Sequence, residues 1–184
     1  MIKQDMRFDE SIIKSMIGKE FKKYRCDRFD FTNSVTQIVG VYLDDSIYKI
    51  NNEEKTVDYF GTNEDVSVFT ISECSDTDIR SAFDDTDQID NPVKQVITNI
   101  KLLNEHQSIL ENGMQTYDVY LTRAIIFCMG EYEIMFEKDT FPFSEEISIY
   151  KGYKLVESAQ SSDSFLNDWD ETITPYVERD IIVL

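Results

Sequence analysis

The stretch that most constrains this chain is residues 117–138, Y-D-V-Y-L-T-R-A-I-I-F-C-M-G-E-Y-E-I-M-F-E-K. Val119, Leu121, Ile125, Phe127 and Met129 share one face of an extended strand, and Tyr120, Ala124, Ile126 and Cys128 share the other. A strand that is apolar on both faces has to be covered on both, which places it in the middle of a sheet. Gly130-Glu131 turns it into a second strand. There Tyr132, Ile134 and Phe136 alternate with Glu133, Met135 and Glu137, so this second strand is expected to be half covered.

The remaining chain must supply the covering layers. Its 184 residues suffice for a single domain spanning 1–184. With 12 Phe and 10 Tyr against only 6 Gly and 3 Pro, the composition favours strands over linkers. The expectation is an α+β, predominantly β domain. Antiparallel sheets would pack as a sandwich or partly open barrel, with short helices at the periphery.

In chain order, Asp9 caps a short helix that carries Ile12, Ile13, Met16 and Ile17 and stops at Gly18. Strands are expected at 19–31, 35–43, 46–50, 56–60 and 66–72, with turns at Asp44-Asp45 and at 51–54 and a loop at 61–65. A helix over 77–83 leads into an acidic loop closed by Pro92, and 93–105 is a further strand. Asn112-Gly113 precedes the central hairpin. Beyond it come strands at 145–150 and 153–156, a helical turn at 165–169 and an apolar tail, 180–184, that docks as an edge strand.

Two segments echo each other. Val35-Thr-Gln-Ile-Val39 resembles Leu121-Thr-Arg-Ala-Ile125 in type. Glu64-Asp-Val-Ser-Val-Phe69 matches Glu145-Glu-Ile-Ser-Ile-Tyr150 after a strand, a hairpin, a strand and a loop. The pattern suggests an internal duplication of a four-stranded unit, with halves at 19–72 and 93–156.

The net charge is −18. Lys19, Lys22, Lys23, Arg25 and Arg28 concentrate positive charge near the N-terminus, while Asp76, Asp78, Asp84, Asp85, Asp87 and Asp90 form the densest acidic run. So negative a chain repels phosphate backbones and favours a basic protein partner. Cys26, Cys74 and Cys128 are few and far apart, as in reduced cytoplasmic proteins, and no apolar run approaches a membrane span. A cytoplasmic location is expected.

Catalytic signatures are sparse. His106 is the single histidine, and no nucleophile elbow, phosphate-cradling glycine loop or zinc-ligand spacing is present. No cofactor and no metal are expected, although 84–90 has some calcium-loop character without its glycine or terminal Glu. The enzyme alternative is a metal-dependent nuclease or phosphodiesterase using Asp45, Glu53 and Lys55, an acid followed by acid-x-Lys. The acids around Glu137 and Glu145 flank Phe141-Pro142-Phe143, a glycosidase-like pairing or, read as a surface, two apolar anchors inside an acidic rim.

The phrases D-V-Y-L-T-R-A-I-I-F, F-E-K-D and F-S-E-E-I-S-I-Y-K-G-Y-K-L resemble uncharacterised proteins of bacterial mobile elements. That resemblance implies a role in conflict between element and host. Together with the charge, it leads to the expectation of a non-enzymatic acidic protein. Such a protein would inhibit a basic, nucleic-acid-acting partner by phosphate mimicry, as anti-CRISPR and nuclease-immunity proteins do. Asp76, Asp78, Asp84, Asp85, Asp87, Asp90, Phe141 and Phe143 would make the contact. A structural, self-associating domain is the third reading.

Overall fold

The computed structural model describes residues 4–28, 32–84, 86–140, 143–167 and 169–184. In order, the elements are β1 (Gln4–Met6), α1 (Glu10–Lys14), β2 (Glu20–Asp27), β3 (Ser34–Thr36), β4 (Ile38–Tyr42), β5 (Ile47–Tyr59), β6 (Thr62–Cys74), β7 (Gln88–Val96), β8 (Asn99–Glu111), β9 (Met114–Met129), β10 (Tyr132–Lys138), β11 (Glu146–Gly152), α2 (Asp163–Leu166) and β12 (Ile173–Val183). Single 3₁₀ turns occupy Asp76–Asp78 and Leu155–Ser158. The protein is therefore mostly β, with two sheets and short peripheral helices. All strand pairings are antiparallel except β1 with β9.

The larger sheet runs β12-β8-β9-β10-β11-β3, with β1 beside β9, and the smaller runs β6-β5-β4-β2-β7. Each contains a four-strand meander, β8 to β11 in one and β2-β4-β5-β6 in the other. In each, a later strand is added outside the first strand of the meander, β12 on β8 and β7 on β2. The look-alike sequences around Val39 and Ile125, and around Val66 and Ile147, thus occupy corresponding places in the two orders.

The inner faces pack on each other. Phe21, Tyr24, Val41, Ile50 and Phe69 from the small sheet meet Leu102, Ile125, Phe127, Phe136 and Ile147 from the large one. Phe21 and Phe127 pack ring on ring at 5.1 Å, and Tyr24 meets Phe136 edge-on at 5.5 Å. The outer face of the large sheet has its own cluster, Leu103, Ala124, Ile126, Cys128 and Met135, covered by Leu155 and its neighbours. That double cover is why β9 is apolar on both sides. It also buries β10 more completely than its alternation implies: Glu133, Glu137 and Lys138 are all buried.

Several boundaries differ from the sequence expectation. Residues 35–43 are two strands, because Gln37 adopts a left-handed φ of 63° and passes the chain from the large sheet to the small one. No turn occurs at 51–54. Asn51 and Asn52 lie buried within β5, and the Asn52 side-chain amide donates to the carbonyls of Ser144 (2.9 Å) and Glu146 (3.0 Å), joining the two sheets. The hairpin turns instead at Phe60-Gly61, both with positive φ. Pro92 sits inside β7, where an edge position spares it a missing ladder donor. The 77–83 helix is only the Asp76–Asp78 turn, and 153–156 forms a 3₁₀ turn with Leu155 buried rather than a strand.

Candidate functional site

The acidic segment that follows β6 lies across the outer face of the small sheet. Ile79, 5% exposed, anchors it over Gly40. A Cβ at residue 40 would come 2.8 Å from Ile79 Cγ2, so glycine there allows the close approach. Ser81 donates to the buried Asp27 carboxylate at 2.8 Å. Ser75 and Asp78 close the 3₁₀ turn reciprocally: Ser75 N–H and Oγ donate to Asp78 Oδ2, which holds the Asp78 carboxyl below its usual range, and Asp78 N–H donates to the Ser75 carbonyl at 3.1 Å.

The acidic run and the basic strand, separate features in the sequence, meet here. Arg25 donates to Asp90 through Nε (2.7 Å) and to Asp76 through Nη1 (3.0 Å). Lys23 donates to Asp90 at 2.6 Å, and the Tyr42 hydroxyl donates to Asp76 at 2.8 Å. The Lys23 ammonium also lies 4.4 Å and the Arg25 guanidinium 5.1 Å from the Tyr42 ring centre. The Arg25 hydrogen bond, reinforced by Lys23, holds the Asp90 carboxyl below its usual range. Of the six aspartates, Asp76 and Asp90 thus pair with bases of the same chain while remaining exposed, and Asp78 caps its own turn. Asp84 and Asp87 are exposed, and Asp85 lies outside the described residues. Phe143 is 57% exposed, and Phe141 lies outside the described residues.

The nuclease trio does not assemble. Asp45 sits in the β4–β5 turn and pairs with Lys19 at 3.0 Å. Glu53 and Lys55 stand on the same strand, 3.6 Å apart and half exposed, but six residues of extended chain separate Ile47 at the strand's start from Glu53, about 20 Å. No cluster of three metal-ligating acids, His or Cys occurs among the described residues. His106 stacks on Tyr120 at 3.9 Å and its Nε2 lies 2.6 Å from Asp118, with no nucleophile in that arrangement. Cys26 and Cys128 are buried thiols, and burial pushes them up to about 12 and about 11. No helix among the described residues is long and apolar enough to cross a membrane.

The most heavily charged interior was not legible in the sequence. β8 and β9 fall out of register between Leu103↔Ala124 and Asn104↔Thr122, so Arg123 is an unpaired bulge residue. Its fully buried guanidinium donates to Glu105 Oε2 (3.0 Å) and to the Lys138 carbonyl (2.9 Å), and lies 3.7 Å from Glu137. Arg179 of β12 donates to Glu105 Oε1 at 2.6 Å, and the Gln160 N–H donates to Glu137 at 2.9 Å. Burial alone would push Glu105 up, but Arg123, Arg179 and Gln107 hold it below the ordinary carboxylate range; burial wins at Glu137, which is raised. Lys138, hydrogen-bonded to Ser67, is pushed down by burial to about 7. Beside this pair lies a cavity of about 10 Å³, also lined by Gln107, Tyr117 and Thr140, with room for one water and for no substrate. The whole network clamps 155–166 and β12 onto the large sheet. The one signal in the sequence is Arg123 itself, a charged residue inside an otherwise apolar central strand; its partners at 105, 137 and 179 lie too far along the chain to be read from it.

No protein family, curated protein or solved structure matches the chain in these comparisons.

Proposed function

We propose that this is an acidic binding protein that occupies the basic, nucleic-acid-binding surface of a protein partner and so inhibits it. One observation carries the reading. Two bases of the cation-rich strand β2 are neutralised from within, Lys23 and Arg25 by Asp90 and Asp76, so the acid excess behind the net charge of −18 falls on the remaining surface. A phosphate backbone would meet repulsion there, and a basic groove would meet attraction. Asp84 and Asp87 sit on a segment pinned at Ile79, Ser81 and Asp90. Carboxylates presented from such a braced segment lose little freedom on binding.

The test is capture of partners at about 50 mM and about 500 mM salt, a range over which the screening length falls well below 10 Å. The expected catch is a basic nucleic-acid enzyme that is lost at high salt and inhibited by the purified protein. Asp84→Asn with Asp87→Asn should weaken that capture about tenfold or more. Undiminished capture by the double variant would remove this segment from the contact.

A further inference from the structure

The strands that end the two sheets are not equivalent, and beside them β1 pairs with β9 over only three residues. β3 has only three residues. β6 pairs with β5 without a register break, but its edge is covered along its middle, where Val66 and Ser67 are buried. β7 is interrupted by Pro92, by Lys94 at a left-handed φ of 57°, and by a register shift opposite Phe21 and Lys23. These are devices that blunt an edge. β12, at the end of the large sheet, runs for 11 residues in unbroken register with β8.

The hydrogen-bond parity of β12 can be read at both ends. Leu184 N–H donates to the Ile100 carbonyl at 2.9 Å, and the Thr172 carbonyl accepts from Asn112 N–H at 2.9 Å. Even-numbered residues therefore direct their backbone groups at β8 and odd-numbered ones direct them outward. The Ile173 N–H bonds the Asp170 carbonyl, and Pro175 has no N–H. What remains is a row of outward amides at Val177, Arg179, Ile181 and Val183. Ile181 and Val183 are 44% and 62% exposed, and the Glu178 side chain is 86% exposed.

We propose that this edge accepts an extended segment of a partner, alternately basic and apolar, as an added strand. Antiparallel pairing with a second copy of the chain is disfavoured by charge. Antiparallel self-pairing that engages all four amides must centre on residue 178, 179 or 180. Those registers set Glu178 against Glu178, Glu178 against Asp180, or Asp180 against Asp180, in the close side-chain pairs where like charges repel. A foreign strand escapes this by carrying Lys or Arg opposite Glu178 and Asp180, with small apolar residues opposite Val177, Ile181 and Val183. The inference deepens the proposed binding role and rests on the partner being basic. It adds a contact separate from Asp84 and Asp87.

The probe is a capped synthetic peptide of alternating Lys and Val, seven residues long, added to the full-length protein. Amide hydrogen exchange is followed residue by residue. The expected result is at least about tenfold slower exchange at Val177, Arg179, Ile181 and Val183 on binding, with no change in β6 or β7. The same peptide with a central proline should protect none of them. Ile181→Pro, which removes an outward donor without touching the β8 ladder, should weaken binding about tenfold. Asp180→Lys should weaken it and flatten its salt dependence, so the test survives if the proline variant fails to fold. Binding that leaves those four amides unprotected, or no binding at all, would overturn the inference. Because Asp84 and Asp87 are intact in this assay, failure here leaves the proposed function standing, and undiminished capture of a basic partner by the Asp84/Asp87 double variant leaves this edge standing.

Discussion

Replacing Arg123 by methionine keeps the volume of an unbranched side chain and deletes a fully buried cation. Glu105 would keep Arg179 at 2.6 Å but lose its 3.0 Å partner, the Lys138 carbonyl would lose a donor at 2.9 Å, and Glu137 would lose the guanidinium at 3.7 Å. Breaking one side of a buried ion pair costs about 3–5 kcal/mol, since the partner charge stays desolvated. For a chain of this length that is a fall in Tm of about 10–15 °C. The assay is urea and thermal unfolding at pH 7, with Glu105→Gln and the double variant completing a cycle. The double variant should lose less than the sum of the singles, with a coupling of about 1–3 kcal/mol. Glu137 adds a pH signature. Its raised folded-state pKa already favours the protonated form, and without Arg123 that preference grows, so the deficit should shrink as pH falls through the carboxylate range. An Arg123→Met protein within about 1 kcal/mol of the native one, with additive singles, would refute the claim that this network fastens β12 and 155–166 to the sheet.

Lys138 offers a second test. Its folded-state value of about 7 lies below the ordinary 10.5, so its burial costs most below pH 7, and stability should rise as pH climbs from about 7 towards 10. Lys138→Met should flatten that rise and stabilise the protein at pH 6, by up to roughly 5 kcal/mol less whatever its bond to Ser67 contributes. A titrating rise that survives the substitution would assign it to another group. Gly40→Ala should cost about 1–3 kcal/mol, because its methyl group meets Ile79 at 2.8 Å and must lift the acidic segment. The same variant should raise affinity for a generic polyanion such as heparin by loosening Asp76 from Arg25; unchanged stability and unchanged polyanion binding would contradict the anchoring of the acidic segment over Gly40.

The central hairpin was legible because its signal is local. Two apolar faces along 119–129 can only mean cover on both sides, and β9 lies mid-sheet between β8 and β10. The Asp9 cap, the Asn112-Gly113 turn and the edge docking of 180–184 were legible for the same reason, whereas the helix ends at Lys14 with Ser15 as its cap and Gly18, at φ 85°, ends the turn that follows it. What failed was non-local. Asn51-Asn52 has turn chemistry, yet the Asn52 amide satisfies the carbonyls of Ser144 and Glu146 at the entry to β11, and that tertiary gain overrides the local preference. A left-handed Gln37 between two β-branched runs gives no compositional warning. In the candidate site, the sequence identifies the acids and the bases but not that Asp76 and Asp90 belong to Arg25 and Lys23. Ion pairing across 51 and 65 residues is a property of the fold.

The central claim is that the acid excess is presented to a basic partner. It is tested most directly by titrating the captured partner with the native protein and with the Asp84→Asn/Asp87→Asn variant at about 50, 150 and 300 mM salt, following partner activity and affinity together. The account predicts inhibition by the native protein, affinity that falls steeply with salt, and both a weaker affinity and a shallower salt slope for the variant. A partner that binds with equal strength at every salt concentration, or that keeps its full activity when saturated, would contradict it.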